Sequence, residues 1–134
     1  MTRVEIIKFI KKEFNVEPSY LFADDTVVFK NQNKWFGVIM NVPRYRVIKK
    51  DTDTIPIEIL NVKLSPEFIE SIKYTRGFAP AYHMNKNHWL SIILNEVENE
   101  KIKTLIKMSY GNVRKNSKWS DDFVLEHTDE IAIW

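Results

Sequence analysis

The fold class of this chain rests on residues 26–40, which read Thr26-Val27-Val28-Phe29-Lys30-Asn31-Gln32-Asn33-Lys34-Trp35-Phe36-Gly37-Val38-Ile39-Met40. Two runs of β-branched and aromatic residues favour strands, and the amide-rich triplet between them is typical of a turn. In the second run Phe36, Val38 and Met40 share one face, because strand side chains alternate. The stretch therefore predicts a β-hairpin.

Two further strands are predicted after this hairpin. A short third strand covers residues 45–48, and a fourth covers residues 55–63. Pro43 interrupts the second strand, because proline has no backbone N–H to donate to a neighbouring strand. The polar residues 49–54 are turn-like, and Pro56 indicates that the fourth strand starts at an edge or a bulge.

Three helices are predicted around these strands. The first covers residues 3–14 and opens with a capping box, in which the side chains of Thr2 and Glu5 each accept the other's backbone N–H. The second begins at Ser65-Pro66, with serine as the N-cap and proline at the first helical position. The third covers residues 98–110, where apolar residues recur at helical spacing.

One more strand, over residues 88–94, is predicted between the last two helices, and Gly77 lies in the loop before it. The element order is then α-β-β-β-β-α-β-α, followed by a tail with short apolar segments at 123–125 and 131–133. Hairpins followed by segregated helices are typical of an α+β fold. We therefore expect an antiparallel β-sheet with helices packed on one face.

The bulk composition is that of one soluble domain. The chain has 134 residues, of which 44% are hydrophobic and 28% charged, close to an ordinary globular mixture. It contains no cysteine, which excludes disulfides, thiolate metal sites and a cysteine nucleophile, and which fits a cytoplasmic location. Charges interrupt the apolar residues near the N-terminus, so neither a signal peptide nor a membrane span is expected.

The charge is unevenly distributed along the chain. Residues 115–134 hold two lysines against five acidic residues, for a net −3, whereas residues 1–114 hold 18 basic against 13 acidic residues, for a net +5. We therefore expect a basic domain over residues 1–114 and an acidic C-terminal extension over residues 115–134 that packs on it. A basic body favours weak binding to a polyanion, although an ordinary solvated surface has the same composition.

Standard catalytic and metal-binding patterns are absent from the sequence. It has no Gly-x-Ser-x-Gly elbow, phosphate loop or His-Glu-x-x-His motif. The acidic pairs Asp24-Asp25 and Asp121-Asp122 are adjacent residues that point in different directions, which is unsuited to a paired carboxylate site. His83 and His88 have a spacing of five, which matches no standard ligand spacing. We therefore expect no catalytic residues, no metal and no cofactor.

Residues 82–89 are the most unusual segment, with two aromatic rings, two amides, two imidazoles and one ammonium group: Tyr82-His83-Met84-Asn85-Lys86-Asn87-His88-Trp89. Such side chains donate hydrogen bonds and stack, which suits contacts with phosphates or bases. A structural loop, anchored by Tyr82 and Trp89 and satisfied by its own amides, explains the same residues. The residues alone leave both interpretations open.

The predicted hairpin tips are a second candidate region. Lys30 and Lys34 flank the first turn, and four cations line the approach to the second: Arg44, Arg46, Lys49 and Lys50. Two basic hairpins could act as wings on a nucleic-acid duplex, where they would supply sequence-neutral phosphate contacts. Charged strand edges also prevent aggregation, and Asp51 and Asp53 dilute the second tip.

The same segments carry a family resemblance. The run from Gly77 to Trp89 resembles the signature of the MmcQ/YjbR family, in which Pro-x-Tyr-His-Met-x-Lys-x-His-Trp leads into an apolar strand. Supporting segments agree in order and spacing: Lys34-Trp35-Phe36, Asn61-Val62-Lys63, Ser65-Pro66-Glu67, and Ser109-Tyr110 followed by Val113. The resemblance covers residues 1–114. Residues 43–54 do not align with the family pattern, and the tail beyond Lys115 extends past it.

The resemblance implies a frataxin-like (CyaY-like) fold, with two helices packed on an antiparallel sheet, and DNA binding through a double-wing arrangement. Residue by residue it carries over Lys63, Tyr82, His83, Lys86, His88 and Trp89. Together with the hairpin cations, the predicted nucleic-acid contacts are Lys30, Lys34, Arg44, Arg46, Lys63, His83, Lys86 and His88, with Tyr82 and Trp89 as loop anchors.

Three functions remain open at this point. The first is a non-catalytic DNA-binding protein, bacterial in type, that meets double-stranded DNA as a monomer. The second is a protein-interaction or metal-handling module by analogy with frataxin, although the first helix carries only Glu5 and Glu13 among its lysines. The third is a protein that holds a small ligand near His83 and His88, as an enzyme or as a binding module.

Overall fold

A computed structural model describes residues 1–22 and 24–115. In chain order the elements are α1 (Arg3–Phe14), β1 (Val27–Asn31), β2 (Lys34–Pro43), α2 (Arg44–Val47), β3 (Pro56–Lys63), α3 (Pro66–Ile72), β4 (Phe78–Pro80), β5 (Trp89–Ile93), a 3₁₀ turn (Leu94–Glu96) and α4 (Asn99–Lys115). The predicted tail segments at 123–125 and 131–133, and with them the packing of the acidic extension, lie outside the described residues.

Five strands form one antiparallel sheet in the order β1-β2-β3-β5-β4. The predicted hairpin is confirmed: Gln32 and Asn33 take left-handed φ values of 53° and 69°, as a tight two-residue turn requires. The register shifts between Phe29 and Lys30, which pair with Gly37 and Trp35. Phe36 is therefore the extra residue of a bulge in β2. Because of the bulge, Phe36 packs on the face opposite to Val38 and Met40, so the prediction that the three share one face is wrong.

The helix ends follow the caps that the sequence predicts. In α1 the Thr2 side chain accepts the Glu5 N–H and the Glu5 side chain accepts the Thr2 N–H, so the capping box is complete. In α3 the Ser65 hydroxyl accepts the Phe68 N–H with Pro66 at the first position. The last helix begins at the expected place and continues beyond residue 110 to Lys115.

Two predictions of secondary structure are wrong. Residues 45–48, predicted as a strand, lie in and just after the short helix α2, where the Ile48 N–H donates to the Arg44 carbonyl. Tertiary structure overrides the β-propensity of these residues, because the chain must reverse between β2 and β3. Burial of Val47 stabilises the helical turn. The sequence also misses β4, which has only three residues and shows no periodicity.

Each face of the sheet is covered differently. On the face that we call the helix-covered face, α1 and α4 pack over Phe36, Leu60 and Leu90 in one continuous core. On the opposite face, which we call the loop-covered face, Val38, Ile59 and Trp89 are covered by α2 and by residues 81–84. The prediction of an α+β fold with an antiparallel sheet is therefore confirmed. The prediction that helices pack on one face is wrong for α2, which covers the opposite face through Val47. The frataxin-like identity of the fold stays a prediction.

Candidate functional site

A buried polar cluster fixes the start of the loop between β4 and β5. Asn61 and Ser91 are paired neighbours on β3 and β5, and both are fully buried. The Ser91 hydroxyl donates to the Asn61 side-chain oxygen and accepts the Tyr82 N–H at 2.9 Å. The Asn61 amide donates to the Tyr82 carbonyl at 3.1 Å. Both backbone groups of Tyr82 are therefore held by the central strands of the sheet.

The rest of this loop, residues 83–88, is folded on itself. The Asn85 carbonyl accepts the Trp89 N–H at 2.9 Å, and the Asn85 side chain accepts the Asn87 N–H at 2.8 Å. His83 has a left-handed φ of 57°, a conformation that residues other than glycine adopt rarely. Met84 is buried, so the loop packs on the sheet rather than extending into solvent.

A concave basin of about 610 Å³ opens between α2 and this loop. Its inner surface is apolar and includes Val47, Ala79 and Ala81, all of which belong to the core of the loop-covered face. Its walls carry five cations and two tyrosines. These are Arg46, Lys49, Lys50, Lys73, Lys86, Tyr74 and Tyr82. No Asp or Glu is among the described residues that line it.

The electrostatics at the basin are those of a positive site. Burial lowers the pKa of His83 first, and the charges of Lys86 and Arg46 lower it further. Arg46 is exposed, and its Nε donates to the Tyr45 hydroxyl at 3.2 Å. This hydrogen bond and a second one to Tyr82 raise the pKa of Arg46. Lys73 is the exception, because Glu70 at 2.6 Å offsets its charge.

Four of the predicted site residues meet at this basin: Arg46, Tyr82, His83 and Lys86. The rings of Tyr82 and His83 lie 3.9 Å apart between centroids at 43°, so the two aromatic side chains form one wall. Lys49 and Lys50, noted in the sequence beside the second turn, also line it. The basin therefore joins parts of two regions that the sequence treats separately.

The remaining predicted residues are not basin residues. Lys34 and Lys63 are buried, with relative exposures of 7% and 5%, and the Lys63 ammonium lies 5.3 Å from the centroid of the fully buried Trp89 ring. Lys30 lies in the hairpin β1–β2 and His88 at the end of the loop, and both are half-buried. Roles for these residues in binding stay predictions.

The prediction that Arg44 and Arg46 line a second basic hairpin tip is wrong. Arg44 and Arg46 lie on α2 rather than on a strand. The Arg44 guanidinium bonds to Asp51 at 2.8 Å and to Glu96, and both carboxylates raise its pKa. Arg44 thus ties α2 to its own loop and to the 3₁₀ turn, whereas Arg46 faces the basin.

Sequence reasoning missed Lys73 and Tyr74, which complete the basin wall. They follow α3 directly and belong to the run Lys73-Tyr74-Thr75-Arg76, in which basic and aromatic residues alternate with a threonine. That interleaving is typical of nucleic-acid contacts. It was detectable in the sequence, but its proximity to the loop was not.

Metal sites and membrane spans can be assessed over the same residues. Within residues 1–22 and 24–115, no group of three or more histidine or carboxylate side chains could hold a metal ion. None of the described helices is both long and apolar enough to cross a bilayer.

The fold and this loop define a small α+β protein with a basic basin on the loop-covered face of its sheet. The YjbR family model matches residues 13–112, which is most of the chain. The uncharacterized protein YyaQ of Bacillus subtilis is 32% identical over 116 residues, covering 82% of this chain and 96% of YyaQ. The chain therefore belongs to the YjbR family, as its resemblance to MmcQ/YjbR sequences predicts.

Solved structures resemble the whole domain. A crystal structure of a Pseudomonas syringae protein has a TM-score of 0.76 at 28% identity, covering 81% of this chain and 96% of that one. A solution NMR structure from the same organism has a TM-score of 0.73 at 28% identity, with 83% and 91% covered. A Deinococcus radiodurans protein shares the fold, with a TM-score of 0.64 at 22% identity and 85% and 79% covered.

Proposed function

We propose that this chain is a non-catalytic nucleic-acid-binding protein, with DNA as its ligand, and that the basin is its contact surface. The observation that carries the proposal is the concentration of cations at the basin without a lining carboxylate. Arg46, Lys49, Lys50 and Lys86 are all exposed there. A monomer in the cytoplasm is the form in which we expect it to act.

Phosphate contacts are what such a surface does best. Exposed lysine and arginine side chains neutralise backbone phosphates and release condensed counterions, which gives binding that is strong at low salt and insensitive to sequence. Arg46 adds directionality, because its planar guanidinium can bond two phosphate oxygens at once. This replaces the double-wing interpretation: one concave surface, formed by α2, the β4–β5 loop and the end of α3, takes the place of two hairpins.

A metal-handling function by analogy with frataxin is disfavoured by the helix that would carry it. The two carboxylates of α1 are already engaged: Glu5 closes the capping box, and Glu13 lies 3.6 Å from the Lys107 ammonium. The hydrogen bonds from Thr2 lower the pKa of Glu5. Among the described residues, neither belongs to a group of three or more histidine or carboxylate side chains that could hold a metal ion.

The test is fluorescence anisotropy with a labelled DNA duplex, measured between about 50 and 200 mM salt. The double substitution Arg46→Ala, Lys86→Ala removes two cations from the basin. The slope of log affinity against log salt should become shallower by about 1 for each phosphate that the variant no longer neutralises. Circular dichroism checks that the variant remains folded.

The matched control is Lys8→Ala, Lys12→Ala, which removes the same charge from two exposed positions on α1. It should change the affinity much less, because those lysines lie on a helix of the opposite face. Equal losses of affinity in both double variants would refute the basin as the contact surface. Absence of binding by the intact protein at low salt to both the duplex and its separated single strand would refute nucleic-acid binding altogether.

A further inference from the structure

The basin has a cationic surface and an apolar surface, and a duplex can use only the cationic one. Its cations suit phosphates, but its inner surface is built from apolar groups such as Val47, Ala79 and Ala81. In a duplex the flat faces of the bases are stacked on each other, so only phosphates, sugars and base edges are available. An apolar inner surface behind a cationic wall therefore suits a ligand that also presents a flat apolar face.

Two tyrosines offer surfaces on which such a face can stack. Tyr74 is 80% exposed, unusually high for a large aromatic side chain, and the Lys73 ammonium lies 5.2 Å from its ring centroid. Tyr82 is half-buried, and its backbone is held by Asn61 and Ser91. The Tyr74 ring is thus largely exposed beside one ammonium group, and the backbone of Tyr82 is fixed, on walls of the same basin.

The size of the basin agrees with a ligand of this kind. Sites for small organic ligands have volumes of about 300 to 1,000 Å³, and the basin, at about 610 Å³, lies within that range. It is also open enough to include exposed lysines on its walls, so a ligand bound there could continue outward as a chain.

We infer that the basin holds one unstacked nucleotide, with its phosphate among Arg46 and Lys86 and its base against the rings of Tyr74 and Tyr82. The inference rests on the proposed nucleic-acid binding and deepens it, because it names a single-stranded or unpaired segment as the preferred ligand. A free mononucleotide has the same base and phosphate groups, and the experiment distinguishes it from an unpaired nucleotide of a strand.

Electrostatics alone would give the opposite preference. A single strand has a lower charge density than a duplex, and each phosphate neutralised contributes less to its salt dependence. A protein that used only its cations would therefore bind a duplex of equal length more tightly. Tighter binding to the single strand identifies a contribution from the bases, since base–aromatic stacking is available only there.

The experiment compares three labelled DNA probes of equal length by anisotropy: a single strand, the corresponding duplex, and a strand without bases. Each is measured with the intact protein, Tyr74→Ala and Tyr74→Phe. A further variant, Tyr20→Ala, removes another exposed tyrosine, with a relative exposure of 65%, that does not line the basin. Unlabelled mononucleotide is added as a competitor.

The expected result is tighter binding of the single strand than of the other two probes. Tyr74→Ala should weaken single-strand binding about tenfold, whereas Tyr74→Phe, which keeps the ring, and Tyr20→Ala should leave it nearly unchanged. Tyr74→Ala should leave the affinity for the strand without bases unaltered. If unlabelled mononucleotide competes at concentrations similar to those of the single strand, the nucleotide site is supported. Its ligand is then a free nucleotide rather than a nucleic-acid strand.

Two results would overturn the inference in distinguishable ways. Salt-dependent duplex binding at least as tight as that of the single strand, with no effect of Tyr74→Ala, would refute the nucleotide site and leave the proposed DNA binding intact. Failure of all three labelled probes and of the mononucleotide to bind at low salt would refute both. Because Tyr74 is exposed, its substitution is not expected to unfold the protein.

Discussion

The two faces of the sheet are closed by different means, and the difference separates stability from function. The helix-covered face is sealed by α1 and α4, whose apolar stripes run along the whole sheet. The loop-covered face is closed by a helix of four residues and by residues 81–84. Long amphipathic helices leave a continuous core, whereas short irregular segments leave the basin beside them.

Each face has a buried serine that joins the covering segment to the strands. On the helix-covered face, Ser109 of α4 donates to the Phe36 carbonyl and accepts the Lys63 N–H at 2.7 Å. The ladder between β2 and β3 begins only at Gly37 and Val62, so Ser109 supplies hydrogen bonds to the residues just beyond its end. On the loop-covered face, Ser91 of β5 holds Tyr82. One serine completes the sheet at a bulge, and the other positions a wall of the basin.

The largest expected effect contrasts the two faces through stability. Phe36 is fully buried and contacts the rings of Phe14 and Tyr110, whereas Tyr74 is 80% exposed. Phe36→Ala should lower the free energy of unfolding by about 3 to 5 kcal/mol, because it removes a large buried ring and leaves a cavity. Tyr74→Ala should change it by no more than about 0.5 kcal/mol. Urea denaturation measures both.

A large loss of stability in Tyr74→Ala would contradict the contrast between the buried Phe36 and the exposed Tyr74. It would mean that the exposed tyrosine supports the fold, and weaker nucleotide binding by that variant could then not be assigned to the missing ring. An unchanged denaturation midpoint keeps the binding experiment interpretable.

A smaller effect is expected from the serine beneath the basin. Ser91→Ala leaves the Tyr82 N–H and the Asn61 side-chain oxygen without their partner, which costs about 1 to 3 kcal/mol for a buried polar group. The Tyr82 amide should also exchange its hydrogen faster, as measured by NMR. The matched control is Ser71→Ala, on the exposed surface of α3, where the hydroxyl only donates to the Phe68 carbonyl.

Equal effects of the two serine substitutions would contradict a special role for Ser91. A loss of stability in Ser91→Ala without faster exchange at Tyr82 would locate the effect in the strands rather than in the loop. Faster exchange confined to residues 82–88 would instead show that the basin wall loosens while the helix-covered face stays intact.

The smallest expected effect is a change in the titration of His83. Its pKa is lowered by burial and then by Lys86 and Arg46, so Lys86→Ala should raise it, and NMR titration of the imidazole measures this. Because burial is the largest cause, the pKa should stay below its ordinary value. A phosphate bound in the basin should raise it as well, whereas addition of uncharged nucleoside should raise it less.

The sign of the linked pH effect follows from the same shift. A lowered pKa means that the folded protein binds fewer protons than the unfolded chain just below the ordinary pKa of histidine. His83 therefore contributes stability that is present above that ordinary value and is lost as the pH falls through the folded-state pKa. A His83 pKa above its ordinary value in the ligand-free protein would contradict the positive potential assigned to the basin.

The elements that could be predicted are those with local causes. The starts of α1 and α3 follow from Thr2, Glu5 and Ser65, whose side chains bond backbone groups three residues away. The β1–β2 turn follows from its amides, and β5 follows from an apolar run that is buried throughout. Helix α2 could not be predicted, because its residues have strand-like propensities that burial of Val47 overrides.

The candidate site was predictable only in part, because charge in a sequence does not reveal exposure. Lys34 and Lys63 have the same side chain as Lys86, yet the first two are buried and the third is exposed. Arg44 and Arg46 are separated by a single residue, but Asp51 and Glu96 engage only the first in ion pairs. Glu96 lies 52 residues from Arg44 along the chain, so such differences depend on tertiary contacts.

By itself the sequence determined the family, the α+β class, the hairpin and the helix caps, because each depends on neighbouring residues or on a contiguous motif. Tertiary structure alone decided which cations share a surface. The basin joins residues 46–50, 73–74 and 78–83 with Lys86, which are distant in sequence and meet only because α2 folds back over the sheet. Local propensities do not determine that these residues are close together. Their proximity depends on the strand order and on which residues stay exposed after the core has formed.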